Sequence, residues 1–92
     1  MSAYAEVIRT DQTHEPFDVL KLHSSVVQAC CSVNAPAGDA HMTAENVCRS
    51  VLDWLVGKPI VTSRDIESVT SRTLERYHPD AAYMYANSEA ML

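Results

Sequence analysis

The chain has 92 residues and a formal net charge of −5, from seven Lys and Arg against twelve Asp and Glu; this length holds one domain and leaves no room for a second, catalytic one. An acidic chain is a poor ligand for a nucleic-acid backbone, although a local basic pocket for one small anion stays compatible with it. Apolar residues at 47%, with two Gly and four Pro, are the balance of a folded domain rather than a disordered tail.

The first residues, Met1 to Ala5, lack the basic-then-apolar order of a signal peptide, and no run is long enough to span a bilayer. Three cysteines, Cys30, Cys31 and Cys48, are an odd number with no pair at zinc-chelating spacing. A reducing, cytoplasmic setting is expected. Cys30 and Cys48 fall within apolar helical patterns, where they act as small hydrophobes.

In chain order, Tyr4 to Thr10 alternates as a strand, with Ala5, Val7 and Arg9 on one face. Asp11, Gln12 and Thr13 make a turn, and His14 to Phe17 forms a second strand, which Pro16 marks as an edge. Asp18 is a suitable N-cap for a helix whose buried face is Leu22, Val26, Ala29, Cys30 and Val33, ending near Asn34. Ala35 to Met42, with Pro36 and Gly38, reads as a loop, and Thr43 as the cap of a second helix with the apolar stripe Val47, Val51, Leu52, Trp54 and Leu55. Trp54 is expected in the core.

Gly57 and Pro59 end that helix. Ile60 and Val61 form a minimal strand, and Thr62 or Ser63 caps a third helix with Ile66, Val69, Leu74 and Tyr77 on one stripe. His78 and Pro79 break it; a last helix, starting at Asp80, runs almost to Leu92. Met84, Met91 and Leu92 then pack on the bundle or meet a partner. The expected fold is α+β, a small bundle of about four helices capped by a short three-stranded sheet with an N-terminal hairpin.

Chemistry concentrates in the first strands and helix. Val7 and Arg9 share a strand face, Glu15 and Phe17 share a face on the partner, and Asp18, Lys21 and Leu22 converge on the helix. Apolar side chains for a purine face, carboxylates for ribose hydroxyls or an amine, and cations for phosphates suit a nucleotide. A solvated hairpin, with Arg9, Glu15, Asp18 and Lys21 in surface ion pairs, accounts for the same residues and is the reading that spacing alone favours, since short charged hairpins are common and pockets few. Four scattered histidines stand at no ligand spacing, so no metal site is expected, and no catalytic triad or dyad is suggested.

The run Val7, Ile8, Arg9, Thr10, Asp11, then Glu15, Pro16, Phe17, Asp18, and finally Lys21 resembles the signature of the ATP-cone, a regulatory domain at the N-terminus of many ribonucleotide reductases. Ile60 to Ile66 and the Ala- and Tyr-rich segment Ala81 to Tyr85 follow in the family's order. This resemblance implies a helical bundle under a three-stranded sheet that binds ATP or dATP, with Mg²⁺ sharing the phosphate charge, and that catalyses nothing. It signals occupancy through homo-oligomer formation or contact with a reductase subunit. By the same resemblance, Val7 packs on adenine, Glu15 and Asp18 contact base and sugar, Lys21 binds phosphate, Leu22 neighbours the base, and Ser63 or Thr62 brings a hydroxyl near it.

Two positions depart from the family pattern. Its first strand has Lys then Arg, where this chain has Arg9 then Thr10, and Gly follows the turn Asp, where this chain has Gln12. No Lys or Arg follows Arg76, so the basic residue often supplied by the last helix is missing too. A second expectation follows: a degenerate cone that has lost nucleotide and serves as an interaction or dimerisation module.

Overall fold

Three apolar stripes at helical spacing, and the Ala- and Tyr-rich segment after His78, become four helices in the computed structural model of the protein, which describes residues 5–87. In chain order the elements are β1 (Glu6–Ile8), β2 (His14–Pro16), α1 (Val19–Ser32), α2 (Ala37–Leu55), β3 (Ile60–Thr62), α3 (Ser63–Tyr77) and α4 (Pro79–Ala86). The fold is α+β, as expected. β1 lies between its neighbours, antiparallel to β2 and parallel to β3. β2 is an edge strand, where the missing N–H of Pro16 costs no ladder bond.

The core gathers Leu22 and Val26 of α1, Ala40, Ala44, Val47 and Val51 of α2, and Leu74 of α3, all without solvent exposure. Each of the larger ones contributes about 1.5–3 kcal/mol by leaving water. Val7 and Val61 face each other in register and are both buried, so one face of the sheet looks onto the helices. Cys30 and Cys48 are buried free thiols, while Cys31 is exposed. Burial pushes the Cys48 thiol up to about 11, which keeps it neutral and unreactive at ordinary pH.

Local chemistry moved several boundaries. α2 begins at Ala37, not after Thr43: Pro36 occupies the N-cap with φ −58°, and Asp39 in the first turn offsets the helix dipole without a side-chain cap. Thr43 therefore lies within the second turn. α4 starts at Pro79 rather than Asp80, because His78 Nδ1 accepts the Ala81 N–H at 3.3 Å and Pro suits the first helical position. It ends at Ala86, and Met91 and Leu92 lie outside the described residues. Tyr77 is 49% exposed rather than part of the buried stripe. Trp54 is half-buried, packed on the core edge with the Lys58 ammonium 4.7 Å above its ring, a contact that also brings Lys58 Nζ to the Trp54 carbonyl at 2.8 Å.

Candidate functional site

Register brings the chemistry together. Val7 pairs with Glu15 across β1 and β2, so their side chains leave the same face of the sheet. Phe17 follows at once, its N–H donating to the Ala5 carbonyl at 2.9 Å, and the chain then turns into α1. Asp18 caps that helix: its Oδ1 accepts the N–H groups of Leu20 at 3.0 Å and Lys21 at 3.3 Å. The cap fixes where α1 starts and holds Lys21 on the first turn, beside the end of β2.

On the far side, Thr62 and Asp65 form a reciprocal capping box that starts α3 directly after β3. Ile66, on the first turn of α3, thereby reaches the same space. The result is a cavity of about 290 Å³ lined by Val7, Glu15, Pro16, Phe17, Asp18, Lys21 and Ile66. Apolar walls and a carboxylate–ammonium rim are the mix found in small-molecule sites.

Glu15 dominates the electrostatics. Its Oε2 accepts from Arg9 Nη1 at 2.8 Å and lies 4.0 Å from Lys21 Nζ. The hydrogen bond, then the charge of Glu15, raises the Arg9 guanidinium above its ordinary value. All three side chains remain between 31% and 47% exposed, so water screens the pairs and they stay free to exchange partners.

The hairpin tip is a three-residue loop. Gln12 N–H donates to the Arg9 carbonyl at 2.9 Å and Arg9 N–H to the Thr13 carbonyl at 2.8 Å, with Gln12 at φ +72°. That is a bulged hairpin loop, which needs a left-handed residue at Gln12. Asp11 Oδ1 accepts both the N–H and the hydroxyl of Thr13, at 3.0 and 2.6 Å, and these bonds hold its carboxyl below the usual range.

Of the eight residues singled out from the sequence, Val7, Glu15, Asp18 and Lys21 line the cavity, and Arg9 reaches its rim through Glu15. Thr10 stands exposed at the hairpin tip. Leu22 has no exposed surface and belongs to the core beneath the cavity, and Ser63 is buried at the start of α3; neither lines the wall. Thr62, not Ser63, is the cap. Pro16, Phe17 and Ile66 were not among those eight, although Phe17 was read as sharing a strand face with Glu15. Ile66 reads as core from its helical stripe and is 1% exposed, yet one edge of it closes the cavity; the Thr62 cap one turn earlier was the available signal.

Two larger clefts lie elsewhere, 570 Å³ between α3 and α4 and 610 Å³ at the end of α2. Both are open to solvent; the first is lined by Arg64, Glu67, Arg72 and Glu75, the second by a single carboxylate, Asp53, and a single ammonium, Lys58. Among the described residues no helix is long and apolar enough to cross a membrane. The chain matches no protein-family model and no curated protein.

Proposed function

We propose that this chain is a regulatory domain that binds ATP or dATP in the cavity between the hairpin, α1 and α3, and conveys occupancy by oligomerisation or by contact with a partner such as a ribonucleotide reductase subunit. One observation carries the reading. Val7, Glu15, Asp18 and Lys21, which the resemblance to the ATP-cone assigns to adenine, sugar and phosphate, line a single cavity with Arg9 at its rim.

At 290 Å³ the cavity falls just below the about 300–1,000 Å³ typical of ligand sites, room for part of a nucleotide, its base and sugar. The phosphates would then lie outside, along Lys21 and Arg9. Two cations do not neutralise a triphosphate, so Mg²⁺ is expected to bind with it. Phosphate oxygens would take over from Glu15 as the partner of both cations, leaving the carboxylate to accept from the base amine or a ribose hydroxyl.

Thermal-shift titration with ATP and dATP, each with Mg²⁺, tests the proposal, with CTP as control. Nucleotide at ~100-fold its dissociation constant stabilises the fold by about 2.7 kcal/mol. Absence of a shift with either adenine nucleotide at millimolar concentration would overturn it.

A second reading draws on the same rim. Glu15 already holds Arg9 by a hydrogen bond and stands within ion-pair range of Lys21, and Thr10 stands where the resemblance puts a further cation, a pattern that suits an interaction module without nucleotide. Light scattering separates the two: this module is an oligomer without ligand at micromolar concentration, and a strict monomer would contradict it.

A further inference from the structure

The four histidines fall into two pairs of circumstances. His14 Nδ1 lies 3.1 Å from Glu6, and His78 caps α4. His23 and His41 have no hydrogen bond or ion pair among the described residues; they have each other. Their ring centres are 5.5 Å apart with planes tilted by 33°. His23 projects from the second turn of α1 and His41 from the second turn of α2, the former half-buried and the latter exposed.

Two imidazoles bound to one metal ion have their ring centres at a comparable separation. A metal–nitrogen bond of about 2.0–2.1 Å plus about 1.2 Å from nitrogen to ring centre sets each centre ~3.2 Å from the ion, so a tetrahedral angle separates the centres by about 5.2 Å. The observed 5.5 Å is within a small side-chain adjustment of that value. The backbones beneath are held: Leu22 and Val26 flank His23, Ala40 and Ala44 flank His41, and all four are fully buried. The fold therefore orders both backbones before any ion binds, and chelation has only the two side chains left to order.

We propose that His23 and His41 form a two-imidazole site for a late first-row divalent cation, Zn²⁺, Ni²⁺ or Cu²⁺, which clamps α1 to α2. Neutral imidazole suits these ions and not Mg²⁺ or Ca²⁺, which prefer oxygen. No group of three or more His, Cys, Asp or Glu is placed to hold a metal among the described residues, so water completes the coordination. Glu45, exposed one turn beyond His41, keeps the local field favourable to a cation. Because α1 also carries Lys21 and is capped by Asp18, the clamp would stiffen the helix that forms the wall of the cavity, but the site itself does not depend on nucleotide binding.

The test is a calorimetric and thermal-shift titration of the full, untagged chain with ZnCl2, NiCl2 and CuCl2 at pH 7.5, with MgCl2 as control. The wild type is expected to bind one ion, to melt at a higher temperature with it, and to give a Cu²⁺ spin-resonance spectrum with two coordinated nitrogens. His41→Ala and His23→Gln, each checked for native circular dichroism, bind about 100-fold more weakly because the second imidazole no longer acts intramolecularly; His14→Ala binds as wild type. Unchanged affinity in His41→Ala, single-nitrogen coordination, or no melting shift with any of the three ions would overturn the proposal.

Discussion

Glu15 is held by two cations at once, Arg9 at 2.8 Å and Lys21 at 4.0 Å, and that arrangement makes Lys21 the most informative residue to change. Its ammonium is exposed and stabilises the fold little, whereas a charge-assisted bond to phosphate is worth about 1.5–3 kcal/mol. Lys21→Ala is therefore expected to weaken ATP binding at least ~10-fold by calorimetry while leaving the melting temperature within a few degrees of wild type. Gln12 makes the opposite case, a residue that costs stability. At φ +72° it occupies a conformation that Gly adopts without penalty and that costs other residues about 1–2 kcal/mol. Gln12→Gly should raise stability by ~1 kcal/mol in urea unfolding; a loss of stability would mean that the loop is not left-handed there.

At the scale of elements, the hairpin, the three strands and four helices are legible from period, caps and breakers. Asp18 and Thr62 were readable as caps because each stands between an extended run and an apolar stripe of helical spacing. The start of α2 was not readable. Pro36 and Gly38 carry the local signal of a loop, but Ala37, Asp39 and Ala40 extend the helix backwards, and Ala40 has no exposed surface: tertiary burial overrides local propensity there. The same limit hid part of the cavity. Val7, Glu15, Asp18 and Lys21 are close in sequence and their periodicity aligns them, whereas Ile66 arrives through the parallel pairing of β1 with β3, which no local pattern states. The capping box is the device that brings it there, so Thr62→Ala is expected to cost about 1 kcal/mol in chemical denaturation and to loosen the α3 side of the cavity. No change in midpoint would show that the box contributes nothing to the fold.

For the whole molecule, the bundle buries two of its three thiols and the phenol of Tyr85. Burial raises Cys48 to about 11 and Tyr85 to about 12, above their unfolded values near 9 and 10. A group whose pKa is higher folded than unfolded leaves stability at its full value below the unfolded pKa and removes it as pH rises through the folded one. Stability should therefore decline from about pH 9 upward, seen as a falling urea midpoint, and a flat profile to pH 11 would contradict the burial of Cys48. In the native state at pH 8, a thiol reagent is expected to modify Cys31 rapidly and Cys30 and Cys48 only on unfolding.

These groups lie in the core, away from the cavity, so such tests report on the fold and leave the functional proposal to be tested at its own residues. The central claim is that ATP or dATP occupies the space between the hairpin, α1 and α3. The direct measurement is a two-dimensional amide NMR titration of the wild-type chain with each nucleotide and Mg²⁺. Shifts are expected to concentrate at Val7, Arg9, Glu15, Phe17, Asp18, Lys21 and Ile66; no shifts, or shifts centred on the cleft between α3 and α4, would contradict nucleotide binding there.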